Sequence, residues 1–394
     1  MITVLIFVAV LFILVISHEL GHFVAARKSG MKVYEFGFGF PPRLFGIQQV
    51  VDQAGKKKWK IIWRTKREQL GQDTASQQET NVGTLYSINL LPLGGFVKIK
   101  GEDGEEAGPD SFAAQGFWKR AITLFAGVGM NIVLAFVLLS IGFMMGAPGA
   151  VDSLPAGSKV ENSHLEIMEA MPGRPAAAAG LQTGDIIVSL DELQNPSVKE
   201  MQEYVDANKN KEIKVIIQRG DEVLEKNIKP FVYEDTGKGG LGVALIEVGT
   251  VSYPWYKAIY YGFIMTGLYL KEIVLSFYYL IAQLVAGTPV GESLSGPVGI
   301  AVMTGKVAKM GFNYLLNFMA LLSLNLAVIN ILPIPALDGG RLLFLIISKI
   351  KGKPITQKYE QLAHGIGFFV LISLVILITV KDLGKFKGLF SGLF

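Results

Sequence analysis

His18-Glu19-Leu20-Gly21-His22 sets two imidazoles four residues apart with a carboxylate between them. On a helix that spacing puts both rings on one face, where they can share a tetrahedral Zn2+. Glu19 then stands where a general base for an attacking water is needed. The five residues close an uncharged apolar run, Ile2–Ser17. An ionisable side chain at the centre of a bilayer costs about 2.5–3.5 kcal/mol or more, so three within five positions call for a compensating function. A catalytic zinc takes three protein ligands and keeps one position open. The chain has only four histidines, and the other two, His164 and His364, read as ordinary polar residues. The strongest third donor is Asp338, inside Asn330-Ile331-Leu332-Pro333-Ile334-Pro335-Ala336-Leu337-Asp338-Gly339-Gly340. Its prolines and glycines break a helix, and broken backbone at membrane depth is tolerated where it lines a protein cavity. A turn cap at the bilayer surface is the competing reading of that aspartate.

The elements that must carry these groups are membrane helices. Of 394 residues 51% are hydrophobic and 18% charged, against about 25% charged in an ordinary soluble domain. Ile2–Ser17, Ala121–Val151, Gly311–Leu337 and Gln361–Val380 contain no Asp, Glu, Lys or Arg. A bilayer core takes roughly 17–25 apolar residues per helix, so these are four candidate spans. No Lys or Arg precedes the first, which reads as a retained helix rather than a signal peptide. The net charge of +4 shows no broad basic character, which argues against a nucleic-acid partner. Zero cysteines exclude disulfides, thiolate metal sites and cysteine nucleophiles.

Charge gives the sidedness. Residues 24–120 carry fifteen Lys/Arg against ten acids, whereas residues 151–256 carry ten against seventeen. Basic loops stay cytoplasmic, so the first stretch is expected inside and the second outside. Lys349, Lys351, Lys353 and Lys358 fit a second inner loop, while Lys381, Lys385 and Lys387 count against the scheme. Within the inner stretch, Lys58–Lys66 and Thr84–Lys100 are rich in β-formers, separated by polar Glu68–Asn81. With Leu91-Pro92-Leu93-Gly94-Gly95 and the charges at Glu102–Glu106, they suggest a sheet dipping into the bilayer edge. A small cytoplasmic hairpin is the alternative.

Residues 150–250 read as an inserted α+β domain. Ser197 and Glu200 form a capping box before a helix over Ser197–Asn208, flanked by strands at Ile186–Val188 and Ile213–Ile217. Pro175-Ala176-Ala177-Ala178-Ala179-Gly180-Leu181 followed by Gly184-Asp185 resembles the PAxxAGLxxGD run of PDZ domains. Ala258–Gly287 is apolar except for Lys271 and Glu272. Parity decides how it is read. One outward crossing between Glu19 and Asp338 brings both to the same depth, whereas a second full span would part them by roughly 30 Å. Either Ala258–Gly287 lies along the outer face or Asp338 is not the ligand.

Taken together, Ser17–Phe23, Phe36–Pro42, Leu91–Lys98, Pro175–Asp185, Ser295–Ile300 and Asn330–Leu342 resemble the site-2 proteases, the M50-type intramembrane zinc metalloproteases. Within these the chain looks like the bacterial regulator-of-sigma-E protease type, with a single PDZ domain. The resemblance implies Zn2+ held by His18, His22 and Asp338, Glu19 as catalytic residue, and Asn330 engaging the substrate backbone. It also implies that the membrane-associated β-hairpin around Thr84–Lys100, with Gly94 and Gly95, pairs with an unwound substrate strand. Expected partners are membrane lipid and transmembrane protein substrates of the anti-sigma-factor kind, or signal-peptide remnants. The expected place is the bacterial cytoplasmic (inner) membrane with the PDZ domain extracytoplasmic. Gly127-Val128-Gly129-Met130-Asn131 departs from the family's second-helix run by lacking its proline, which puts the role of that turn in doubt.

The expected architecture is a polytopic α-helical membrane protein of about four transmembrane helices, a membrane-associated β-hairpin or sheet, and one inserted PDZ domain. Its parts are helix 1 with HExxH (1–24), an inner loop (25–119), helix 2 (120–148) and the PDZ domain (150–250). An interfacial region (255–310), helix 3 with NxxPxPxLDGG (311–350) and helix 4 (361–383) follow. The function expected is intramembrane endoproteolysis of single-span proteins after a first cleavage, with the PDZ domain as a size filter. A non-catalytic PDZ-containing adaptor is the alternative. It requires a closed four-ligand zinc, for which the sequence offers three donors. A zinc transporter would need more intramembrane carboxylates than Glu19, Glu272 and Asp338.

Overall fold

Apolar runs long enough to satisfy every backbone group internally fold as helices, and the intervening polar segments fold as sheets. The computed structural model describes residues 2–51, 56–63, 80–81, 83–102, 108–150, 159–209, 211–220, 222–233, 237–287, 296–353 and 355–385. Most of Glu68–Asn81, residues 103–106 of the acidic cluster, Ser295 and Lys387 lie outside them. In chain order the elements begin with α1 (Ile2–Lys28), β1 (Val33–Val51), β2 (Lys57–Trp63), β3 (Thr80–Asn81), β4 (Leu85–Ile99) and α2 (Phe117–Met145). Next come β5 (Ala147–Ala150), β6 (Lys159–Ala170), α3 (Pro175–Ala178), β7 (Ile186–Leu190), β8 (Leu193–Gln194) and α4 (Val198–Ala207). Strands β9 (Ile213–Arg219), β10 (Glu222–Ile228), β11 (Phe231–Val232), β12 (Gly239–Gly240) and β13 (Val243–Ser252) follow. The last elements among the described residues are α5 (Trp255–Val285), α6 (Pro297–Met310), α7 (Phe312–Ile331), α8 (Asp338–Lys351) and α9 (Gln357–Lys385).

The chain divides into two units, residues 1–139 with 262–394, and residues 140–261. Among the described residues five helices, α1, α2, α5, α7 and α9, are long and apolar enough to cross a membrane by length and composition. In the first unit, Val10 and Leu14 of α1 pack with Ala135 and Leu139 of α2 and with Met319, Ala320 and Leu324 of α7. Gly305 of α6 lies on Thr3, at the start of α1. Near the other end of α1, His18 and His22 meet Asp338, the first residue of α8. Helices α1 and α7 therefore run the same way. Helix α9 runs back: His364 near its start accepts the Ala336 N–H, and Asp382 near its end accepts the N–H groups of Gly296 and Gly299.

The two segments rich in β-formers lie in one sheet, as expected, but among the described residues β2 and β4 do not pair with each other: each pairs with β1. The 19-residue β1 folds back so that its first half lies between two stretches of β4: Glu35 pairs with both Lys98 and Leu85. Its second half lies between β4 and β2, with Ile47 opposite both Tyr86 and Ile61. Among the described residues, 95–99 thus have β1 on one side and no strand on the other, which leaves that edge open. Strand alternation sorts the sheet into an apolar face (Phe36, Phe38, Ile47, Tyr86, Ile88, Ile61, Trp63) and a polar one holding Glu35, Ser87 and Asn89. Helix α1 covers the near end of the apolar face, with Phe12 on Phe38 at 4.5 Å and Phe23 on Phe36 at 5.3 Å between ring centres.

The second unit carries a sheet in the order β10-β9-β7-β6-β13-β5, with β8 on β7. Its core is Leu165, Ile167, Ile187, Leu190, Ile213, Val215 and Ile217, closed by Met201 and Val205 of α4. Ser197 caps α4 with the expected reciprocal Glu200 contact. After α3 the chain turns at Gly180 with φ +82°, a left-handed value that glycine takes without strain.

Candidate metal centre

Helix α1 presents His18 and His22 on one face, and the turn between α7 and α8 delivers Asp338 to them. Pro333, Pro335 and the left-handed Ala336 (φ +81°) end α7 and reset the direction, so that Asp338 opens a new helix. Asp338 Oδ2 lies 3.0 Å from His18 Nε2 and 3.2 Å from His22 Nε2, and the two Nε2 atoms are 3.2 Å apart. Four ligands about 2.0–2.1 Å from a tetrahedral ion stand about 3.3 Å from one another. The three donors have that spacing.

Their hydrogen-bond partners fix which ring atoms face the centre. His22 Nδ1 donates to the Thr123 carbonyl oxygen at 2.8 Å, which leaves Nε2 a bare lone pair. His18 Nδ1 lies 3.3 Å from the amide of Asn131, a fully buried residue on α2. The amide nitrogen is the nearer atom and the amide oxygen is buried without a partner; turning the amide over would satisfy that oxygen, let His18 Nδ1 donate to it and leave Nε2 bare as well. Asp338 Oδ2 is buried without a sound hydrogen-bond donor. Three lone-pair acceptors converging on one point repel each other unless a cation sits between them, so the donor set fits Zn2+. Among the described residues this is the one group of three such side chains close enough to hold a metal.

A cavity of about 470 Å³ opens on this cluster. Its walls include Glu19 and, from the open edge of β4, Gly95, Phe96, Val97, Lys98 and Ile99. Gly95 allows the close approach: a β-carbon there would stand 2.8 Å from Val15 Cγ1 and 3.0 Å from Glu19 Cγ. Arg341, one turn after Asp338, pairs with Glu102 beyond the end of β4. The structure thus brings together His18, Glu19, His22, Asp338 and Gly95. Gly94, in the left-handed region at φ +89°, turns the chain into the edge without lining the cavity. Asn330 stands in the last turn of α7, half-buried, and is not part of the cavity wall. His164 lies on β6 opposite Val248. Sequence reasoning left Asn131 without a role and passed over Thr123; neither contact has a local signature.

The profile of peptidase family M50 matches residues 6–62 and 64–374. The regulator of sigma-W protease RasP of Bacillus subtilis is 31% identical over 97% of this chain and 98% of its own. The zinc metalloprotease RasP of Oceanobacillus iheyensis is 29% identical over 98% of this chain and 99% of its own. A PDZ domain of an SdrC-like protein from Listeria monocytogenes is 26% identical over 22% of this chain and 92% of its own, with a TM-score of 0.21. Covered almost end to end by that profile and by full-length relatives, the chain belongs to peptidase family M50, the site-2 proteases, and is a zinc metalloprotease of the membrane.

Proposed function

We propose that this protein cuts single-span membrane proteins within the bilayer, with His18, His22 and Asp338 holding the zinc and Glu19 moving the proton. One observation carries the reading: three metal donors, a carboxylate and an open strand edge share a single cavity. Bound there, Zn2+ supplies a Lewis acid that makes water acidic enough to react near neutral pH and stabilises negative charge on the scissile carbonyl. Glu19 takes one proton from the attacking water and returns it to the amine that leaves when the peptide C–N bond breaks. The products are one new carboxyl end and one new amino end.

A helical substrate hides its carbonyls in its own hydrogen bonds, so it must unwind. Residues 95–99 offer unpaired backbone to an extended chain and can replace those bonds by strand addition. Asn330 engages a substrate carbonyl beyond the cavity wall. Anti-sigma-factor-like proteins already trimmed outside the membrane are the substrate class. The relative named a regulator of sigma-W protease supports that choice. The enzyme sits in the bacterial inner membrane with α1, α2, α7 and α9 as its spans. The PDZ domain is outside, as the acidic balance of residues 151–256 favours. Helix α5 lies along the membrane: Lys271 and Glu272 are both exposed near its middle, which a span would expose to lipid at about 2.5–3.5 kcal/mol each.

The test is Glu19→Gln in the reconstituted protein with a single-span reporter. Zinc should stay at one per chain while cleavage falls roughly 100- to 10,000-fold. Undiminished cleavage would remove Glu19 from the chemistry.

A further inference from the structure

We infer that His364 is a positioning residue for the metal centre: it holds the turn that carries Asp338. The inference rests on the assignment of Asp338 as a zinc ligand. The two histidines of α1 are each anchored by α2, through Thr123 and Asn131. Among the described residues Asp338 Oδ2 has no such hydrogen bond. It follows a six-residue broken stretch in which Ala336, a residue with a β-carbon, is held at φ +81°. A conformation of that kind is strained for a residue with a β-carbon and persists only where the surroundings impose it.

Helix α9 imposes it. His364 Nδ1 accepts the Ala336 N–H at 2.8 Å, two residues ahead of the ligand. One turn along, Gly367 leaves room for the same stretch, since a β-carbon there would stand 2.7 Å from the Pro335 carbonyl carbon. The Phe344 ring of α8 lies 5.5 Å from the imidazole, centre to centre, and limits its rotation. As the Nδ1 lone pair is used as acceptor, the ring proton is on Nε2. A metal site needs its ligands held within about 0.5 Å, and loss of a supporting contact typically costs 10- to 100-fold in metal affinity.

Two substitutions separate the roles of acceptor and bulk. His364→Asn keeps an acceptor near the place of Nδ1, whereas His364→Phe keeps the ring against Phe344 and removes the acceptor. Zinc affinity of the full chain in detergent is read by chelator competition, and unfolding midpoints are read with and without zinc. His364→Phe should weaken zinc about 10- to 100-fold and His364→Asn by less than about threefold. The metal-free midpoint should stay near that of the wild type, with the loss confined to the zinc-dependent increment. Unchanged zinc affinity in His364→Phe, equal losses in both variants, or equal falls of the midpoint with and without zinc would each overturn the proposal. His364→Ala supplies a second acceptor-free variant should the phenylalanine fail to fold. Asp338→Ala is the control for the underlying assignment. If it binds zinc like the wild type, the ligand assignment itself fails; if it loses zinc while His364→Phe does not, only the role of His364 falls.

Discussion

Gly127 of α2 lies directly on the His18 imidazole: a β-carbon at Gly127 would stand 2.7 Å from His18 Cε1 and 2.8 Å from His18 Nε2. The same atom would also collide with His22 Nε2. At the adjoining contact, a β-carbon on Gly21 would stand 2.6 Å from the Ala126 carbonyl carbon. Two glycines let the helix backbones approach closely, and that approach brings Thr123 and Asn131 within reach of the rings.

Gly127→Ala should therefore act on the metal before it acts on the fold. The methyl group has to displace an imidazole, and a shift of that kind should cost zinc affinity at least tenfold, as loss of a ring's supporting contact does. Elemental analysis after dialysis against a weak chelator reads it. A variant with full zinc content would mean that α2 can back away from α1 at little cost.

Gly95→Ala is the counterpart on the other wall. Its methyl would press on Val15 Cγ1 and Glu19 Cγ and on none of the three metal donors. Zinc content should stay at the wild-type level while kcat falls by about 10-fold or more, because general-base efficiency depends on hydrogen-bond reach. Equal loss of zinc in Gly95→Ala and Gly127→Ala would contradict the division of labour between the two walls.

The histidine pair was legible in the sequence because helical geometry is local: spacing of four puts two rings on one face. Asp338 was legible because two prolines and two glycines in an apolar run announce a broken helix. The Ser197–Glu200 cap and the strands around it were legible for the same local reason. The sheet was not. Two segments rich in β-formers stand out, but the strand that joins them, β1, is interrupted by Pro41 and Pro42, and glycines fill the other positions of its Phe36–Phe40 alternation, so its strand character is masked. The contacts that tune the metal centre were equally invisible. His18 meets Asn131 across 113 positions and His364 meets Ala336 across 28. Such pairs exist only once helices pack.

Acid should weaken the second unit, residues 140–261, through Asp185. Burial alone would raise its carboxyl, but the Arg219 guanidinium and the Gln182 N–H outweigh burial and hold it below the usual range. A lowered folded value means stabilisation that is complete above the unfolded value of about 3.9 and is lost as pH falls towards the folded one. Asp185→Asn should remove that dependence. It should also cost about 2–3 kcal/mol at neutral pH, below the 3–5 typical of breaking fully buried pairs, because Arg219 is 32% exposed. Hydrogen exchange of peptides covering β9 in the intact protein, between pH 3 and 7, checks both. Identical pH profiles for variant and wild type would assign the acid sensitivity elsewhere.

The apolar face of the first sheet should lie in lipid. Phe38 meets Phe12, sixteen residues before the end of α1, which at 1.5 Å per residue places the sheet about 24 Å up that helix. Beyond the part that α1 covers, Trp59, Ile61 and Trp63 are 62%, 55% and 70% exposed, too large an apolar edge to leave in water. Tryptophan at such an edge is at home in the headgroup region. With the other three tryptophans replaced by phenylalanine, Trp63 in nanodiscs should be quenched by lipids brominated near the headgroup and shielded from iodide in solution. Quenching by iodide as strong as for free tryptophan, with none from brominated lipid, would put the sheet in the cytoplasm. The substrate strand would then have to leave the bilayer to be cut.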